Sequence, residues 1–129
     1  MNHGEQEPFA IVVCDVNGLK QINDTYGHKA GDDYIREACS IVCSAFQHSP
    51  VYRIGGDEFC AILKGDDFEN RRSIMTLLRE QMRSNNASGK VVLASGISVF
   101  DEENDKLVSQ IFQRADALMY ENKRQLKQG

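Results

Sequence analysis

The chain has 129 residues, of which 41% are hydrophobic and 26% charged, and its formal net charge is −4. That length supports one domain with a core that needs no staple, and the acidic balance argues against a generic nucleic-acid surface. No apolar run approaches the roughly 18 residues of a membrane span, and Met1 to Pro8 lacks the apolar core of a signal peptide.

In chain order, "FAIVVCDV" (9–16) predicts a β-branched strand buried on both faces. "GLKQINDTYGH" predicts a short helix that stops near Gly27. From Ala30, the residues Ile35, Ala38, Cys39, Val42 and Phe46 recur at helical spacing and predict an amphipathic helix to Gln47, which Pro50 ends. Val51 to Ile54 form a second strand, and Glu58 to Lys64 a third. Gly55-Gly56 between them signals a two-residue hairpin, because such turns need positive φ. Asp66 or Asp67 is expected to cap one helix through "FENRRSIMTLLREQMRS". "KVVLASGISVF" (90–100) is strand-like, with Gly96 marking a bulge. Asn104 or Asp105 is expected to cap a last helix with a buried stripe of Leu107, Ile111, Ala115, Leu118 and Met119. The order β-α-α-β-β-α-β-α, with its antiparallel hairpin, implies an α+β layer of helices on a central, mostly antiparallel sheet. Residues 1–8 read as a loose, flexible end and 9–129 as the domain; no repeat or linker interrupts it.

The four cysteines, Cys14, Cys39, Cys43 and Cys60, all fall inside apolar patterns and read as reduced thiols of a cytosolic protein. Cys39 and Cys43 share a helical face, where a metal pair is conceivable, but no second pair matches them.

Asp15 ends a buried strand, and Asp57 and Glu58 follow a glycine turn. Carboxylates at strand ends, beside glycines that let backbone approach a ligand, suit a hard divalent cation such as magnesium with phosphate oxygens completing its shell. The same spacing also fits a charged hairpin tip beside a solvated strand end.

"DVNGLKQINDTYGHKAGD" followed by "RIGGDEF", with "ADALMYENK" near the end, closely resembles the GGDEF family of diguanylate cyclases from Phe9 to about Lys127. The resemblance implies a ferredoxin-like, nucleotide-cyclase palm architecture. It implies condensation of two GTP into cyclic di-GMP, with one GTP on each subunit of an antiparallel homodimer. It also implies magnesium or manganese as cofactor. Asp15 and Asp57 match the metal-binding acids, with the backbone carbonyl of Val16 as a further ligand. Glu58 matches the acid assigned to metal coordination or to activating the 3′-hydroxyl. Asn23 and Asp32 match the residues that read guanine, whose ring N–H and amine suit a carboxylate acceptor. Gly18 and Leu19 match the turn whose N–H groups touch the β- and γ-phosphates. Lys123 and Lys127 match the basic pair on the terminal phosphates, with Lys20 assisting.

The chain departs from the family's pattern in four places. Asn17 stands where aspartate is frequent, and Leu126-Lys127 replaces Gly-Arg, exchanging a bidentate fork for a point charge. Phe46 and Ser49 fill the inhibitory Arg-x-x-Asp positions, so a product-inhibition site is not expected. The Asp-x-Leu-Thr segment that precedes the first strand is missing from the sequence, which therefore reads as a shortened or excised domain. The expected setting is cytoplasmic, behind an N-terminal sensory or regulatory domain of a parent protein that can itself be membrane-anchored. No contact of this chain with membrane or nucleic acid is expected. The competing reading is a catalytically weak or inactive module that binds GTP and regulates; a ferredoxin-like nucleic-acid binder would want a basic face and clustered aromatics.

Overall fold

The structure is a computed structural model and describes residues 7–101 and 103–128. Of the expected loose end, Glu7 and Pro8 are described and exposed, and residues 1–6 lie outside the described residues. The elements are β1 (Ala10–Val16), α1 (Leu19–Tyr26), α2 (His28–Ala45), β2 (Val51–Arg53), β3 (Glu58–Leu63), α3 (Gly65–Glu69), α4 (Arg71–Ser88), β4 (Leu93–Val99) and α5 (Val108–Gln128). The four strands form one antiparallel sheet in the order β2-β3-β1-β4. This is the α+β architecture that the alternation of patterns implies. No helix among the described residues is long and apolar enough to cross a membrane.

Every residue of β1 is buried, because the sheet is covered on both faces. Ala10, Val12, Cys14 and Val16 share one core with Ile35, Ala38 and Val42 of α2 and Met75, Leu78 and Met82 of α4. Ile11 and Val13 point to the other core, with Ile111, Ala115 and Met119 of α5. Alternating side chains of one central strand thus tie both layers together.

Four local expectations are corrected. Asp66 and Asp67 do not cap a single helix: α3 and α4 are separated at Asn70, and the residue before α3, Lys64, makes no side-chain cap. Asp67 is instead buried and accepts hydrogen bonds from His48 N at 3.0 Å and Ser49 Oγ at 2.6 Å. At α5, Gln110 Oε1 accepts from the backbone N–H groups of Lys106 and Leu107 at 2.6 and 2.9 Å, in place of a cap from Asn104 or Asp105. Asp105 pairs with Arg114 instead. Leu107 and Leu118 are 65% and 49% exposed and leave the stripe. The first precedes the helix, and the second lies about 100° round from Met119.

Gly96 is not a bulge, since the β1–β4 register runs unbroken through Val13↔Gly96. A Cβ there would overlap the α5 backbone at Ala115, Leu118 and Met119, so the glycine is what lets α5 lie directly on the sheet. Gly96→Ala must therefore push the helix away. It is expected to destabilise by about 1–3 kcal/mol or more, read as a lower midpoint in urea; an unchanged midpoint would contradict this packing.

The outer edge of β4 is met by side chains. Asn122 Oδ1 accepts from Ser95 N at 3.0 Å, and the Arg79 guanidinium donates to Ser95 O at 3.4 Å. Arg114 donates to Val99 O at 2.9 Å. At the opposite edge, β2 is three residues long.

Candidate active site

Pairing across the sheet assembles the acids. Asp15 of β1 lies opposite Glu58 of β3, and Val16 N donates to Asp57 O at 2.8 Å, carrying the ladder on to the turn. Asp15 is 4% exposed. Burial raises its pKa above the ordinary carboxylate range; the Lys123 ammonium opposes that shift and the neighbouring Asp57 adds to it. Glu58 is also raised, first by burial and then by Asp15, Asp116 and Asp57. The negative charges of neighbouring carboxylates thus add to burial in making Asp15 and Glu58 harder to ionise.

The turn that carries Asp57 differs from the two-residue hairpin. Ile54 N donates to Glu58 O at 2.9 Å, which leaves Gly55, Gly56 and Asp57 as the loop, and neither glycine has a left-handed φ. The Arg53 guanidinium closes the loop from the side, donating to Gly56 O at 2.6 Å through Nη2 and to Gly55 O at 3.3 Å through Nε. The left-handed residue of the site is Gly18, with φ 75° and ψ 14°, where β1 turns into α1. A side chain is strained in that conformation, so the tight entry to α1 depends on glycine.

Between this turn and the acids lies an open cleft of about 510 Å³, lined by Val16, Gly18, Leu19, Lys20, Asp57 and Lys123. Lys123 reaches in from α5, its Nζ 3.2 Å from Asp15 Oδ2. Asp15 Oδ1 is buried without a hydrogen-bond partner, as is Asn17 Oδ1. A buried carboxylate oxygen left unpaired is costly, and a hard cation is the ligand that such a donor set suits. Asp15, Asp57, Glu58 and the Val16 carbonyl are therefore the candidate ligands for a hard divalent cation. Among the described residues no three His, Cys, Asp or Glu side chains are arranged to hold a metal ion; the Lys123 ammonium supplies the positive charge beside Asp15.

The remaining expected site residues form a second group. The Asn23 side chain lies directly over Gly31, where any Cβ would collide with its amide, and Asp32 follows, exposed. Neither lines the cleft at Asp57. Lys20 lines it while pairing with Asp24 at 3.0 Å, both exposed. The side chain of Lys127 lies outside the described residues.

Sequence reasoning passed over Asp116, which adds to the shift of Glu58. Its spacing of seven residues from Lys123 places both on one face of α5 and was a usable signal. Tyr34 was also missed: its hydroxyl donates to Asn17 O at 3.1 Å and accepts from Val92 N at 3.3 Å, bracing the start of the Gly18 turn.

The family described as "Diguanylate cyclase, GGDEF domain" matches residues 1–128 of this chain. The chain belongs to the GGDEF family. This GGDEF domain is 27% identical over 127 residues to the probable diguanylate cyclase DgcT of Escherichia coli (strain K12), which covers 92% of this chain and 28% of that protein. It is 30% identical over 125 residues to diguanylate cyclase A of Treponema denticola, covering 92% and 33%. The GGDEF domain thus spans about a third or less of those curated relatives. Among solved structures it resembles the GGDEF domain of DgcB from Caulobacter crescentus in complex with c-di-GMP, with a TM-score of 0.75, 25% identity and coverage of 91% and 72%. The active GGEEF domain of a diguanylate cyclase from Vibrio cholerae shares the fold, with a TM-score of 0.77, 24% identity and coverage of 92% and 78%.

Proposed function

We propose that this GGDEF domain is a diguanylate cyclase that condenses two GTP molecules into cyclic di-GMP. The observation that supports the reading is the pairing of Asp15 with Glu58 across the sheet, next to a cleft that Asp57, Lys123 and the left-handed Gly18 turn line together. Each subunit of an antiparallel homodimer holds one GTP. The 3′-hydroxyl of each GTP attacks the α-phosphorus of the other, so two phosphodiester bonds form and two pyrophosphates leave. Glu58, whose pKa is raised by burial and by neighbouring carboxylates, takes the hydroxyl proton or helps to hold the metal. The N–H groups of Gly18 and Leu19 and the ammonium groups of Lys20, Lys123 and Lys127 hold the β- and γ-phosphates. Asp15, Asp57 and the Val16 carbonyl, with Glu58, would hold a magnesium or manganese ion, which would supply neutralisation of the phosphate charge. Asn23 and Asp32 read the guanine edge. We place the domain in the cytoplasm, coupled to a sensory or regulatory domain of the parent protein.

Incubating the purified chain with GTP and magnesium, and resolving the products by chromatography, tests this directly. Cyclic di-GMP is expected, and GTP bound but unconverted under conditions that favour dimers would instead support the binding-module reading. The Lys123–Asp15 pair is the observation that favours that second reading, because it occupies a candidate ligand.

Product inhibition through the Arg-x-x-Asp positions is not expected in this domain. Phe46 is packed into the core at 1% exposure, and the Ser49 hydroxyl is held by Asp67. Neither offers the charge-assisted contacts, worth about 1.5–3 kcal/mol each, that grip a phosphate. Titration with cyclic di-GMP is expected to show no micromolar binding that survives Asp57→Asn; such binding would refute the expectation.

A further inference from the structure

The α2 helix carries two thiols outside the machinery described above. Cys43 is exposed and Cys39 half-buried, packed against the core, and their Sγ atoms are 4.0 Å apart. The separation is informative. Two thiolates each about 2.3 Å from one zinc ion at a tetrahedral angle lie ~3.8 Å apart, and a larger soft ion opens that bite slightly. A disulfide would need the sulfurs about 2.05 Å apart; here one thiol donates to the other at 4.0 Å, a separation that a bound ion would change little. One turn of helix holds the two residues on a common face. Contact with the core restrains Cys39, so part of the ordering that binding requires is already in place.

We propose that Cys39 and Cys43 form a bidentate surface site for a soft divalent cation, zinc in the first instance, with two waters completing the tetrahedron. The step is an exchange. Two S–H bonds break, two metal–sulfur bonds form, two protons pass to solvent and four of the six waters of the hydrated ion leave; no oxidation is involved. Thiolate selects soft ions and carboxylate hard ones, so this site and the acid cleft sort zinc from magnesium by ligand chemistry. The other two thiols do not compete. Cys14 and Cys60 are buried in the sheet, out of reach of a hydrated ion; the Cys43 thiol is itself raised by its surroundings and by Cys39, so uptake at the proposed site should strengthen as pH rises. A cation bridging positions 39 and 43 would also staple the helix two turns beyond Asp32.

The test uses cadmium as a spectroscopic probe, with excess magnesium present to occupy the acid cleft. The whole chain is expected to gain thiolate-to-cadmium charge-transfer absorption that saturates at one equivalent, with two protons released per ion, and zinc should compete it away. Zinc should also raise the Tm. Cys43→Ser, at an exposed position where folding is not at stake, is expected to abolish the absorption and the Tm rise and to weaken zinc binding at least tenfold. Absence of the absorption in the wild-type chain overturns the proposal. So does its persistence in Cys43→Ser, which would place the ion elsewhere, and so does saturation at half an equivalent, which would mean a site shared between two chains.

Discussion

Asp15→Asn is expected to raise the thermal stability of the metal-free domain while removing its cyclase activity. Asp15 is buried, one of its oxygens has no partner, and its pKa lies above the ordinary carboxylate value. The sign follows from linkage. Because the unfolded chain gives up this proton at lower pH than the folded one, stability falls as pH rises from the ordinary carboxylate range through the raised folded value. Asparagine removes that part of the pH dependence. The gain at neutral pH should be a few degrees in Tm, about the effect of ~1 kcal/mol in a domain of this size. The lost phosphate and metal electrostatics should lower turnover by about 10²- to 10⁴-fold or more. Melts at several pH values without metal, paired with turnover assays in magnesium, measure both. A variant less stable at neutral pH than the wild type would mean that the Lys123 pair outweighs the burial of charge. Glu58→Gln should cost comparable activity with little change in stability, because Glu58 is less buried than Asp15.

The second large effect concerns the base. GTP is expected to bind at least about a hundredfold more tightly than ATP, since a polar edge left unmatched against adenine costs several kcal/mol. Asp32→Ala should remove most of the preference, and Gly31→Ala should reduce it by displacing the Asn23 amide that lies across Gly31. Calorimetry with both nucleotides in magnesium is the measurement, and equal affinities for GTP and ATP would remove Asn23 and Asp32 from base recognition.

Most of the order of elements was legible because the patterns are clean: β1 is apolar but for Asp15, and α2 repeats its core residues at helical spacing, whereas the break between α3 and α4 was not read. The approach of Asp15 to Glu58 was legible from the hairpin that brings β3 back to the sheet, although the spacing fitted a charged hairpin tip equally well. What escaped was set by tertiary contact. Lys123 and Asp15 are 108 positions apart, and no local pattern predicts that α5 returns to the end of β1. Asp67 resembled a helix cap by type, but its carboxylate is drawn inward by two donors following α2. The glycine pair was misjudged for a related reason. Its loop is braced by Arg53 on the carbonyl oxygens, so left-handed φ is not required there, whereas it is at Gly18.

The side chains along β4 bear on how two copies can meet. A sheet edge with free N–H and C=O groups invites another chain to add a strand, in register and without limit. Here Asn122, Arg79 and Arg114 already occupy positions along that row, and the other edge, β2, is only three residues long. Strand-to-strand growth is therefore discouraged at both ends of the sheet. Encounters between copies are left to the helical and loop surfaces, where contact can be brief and reversible. For a domain whose proposed chemistry needs two copies to come together and part again, edges that discourage strand addition help keep crowding at high local concentration from becoming a fibre.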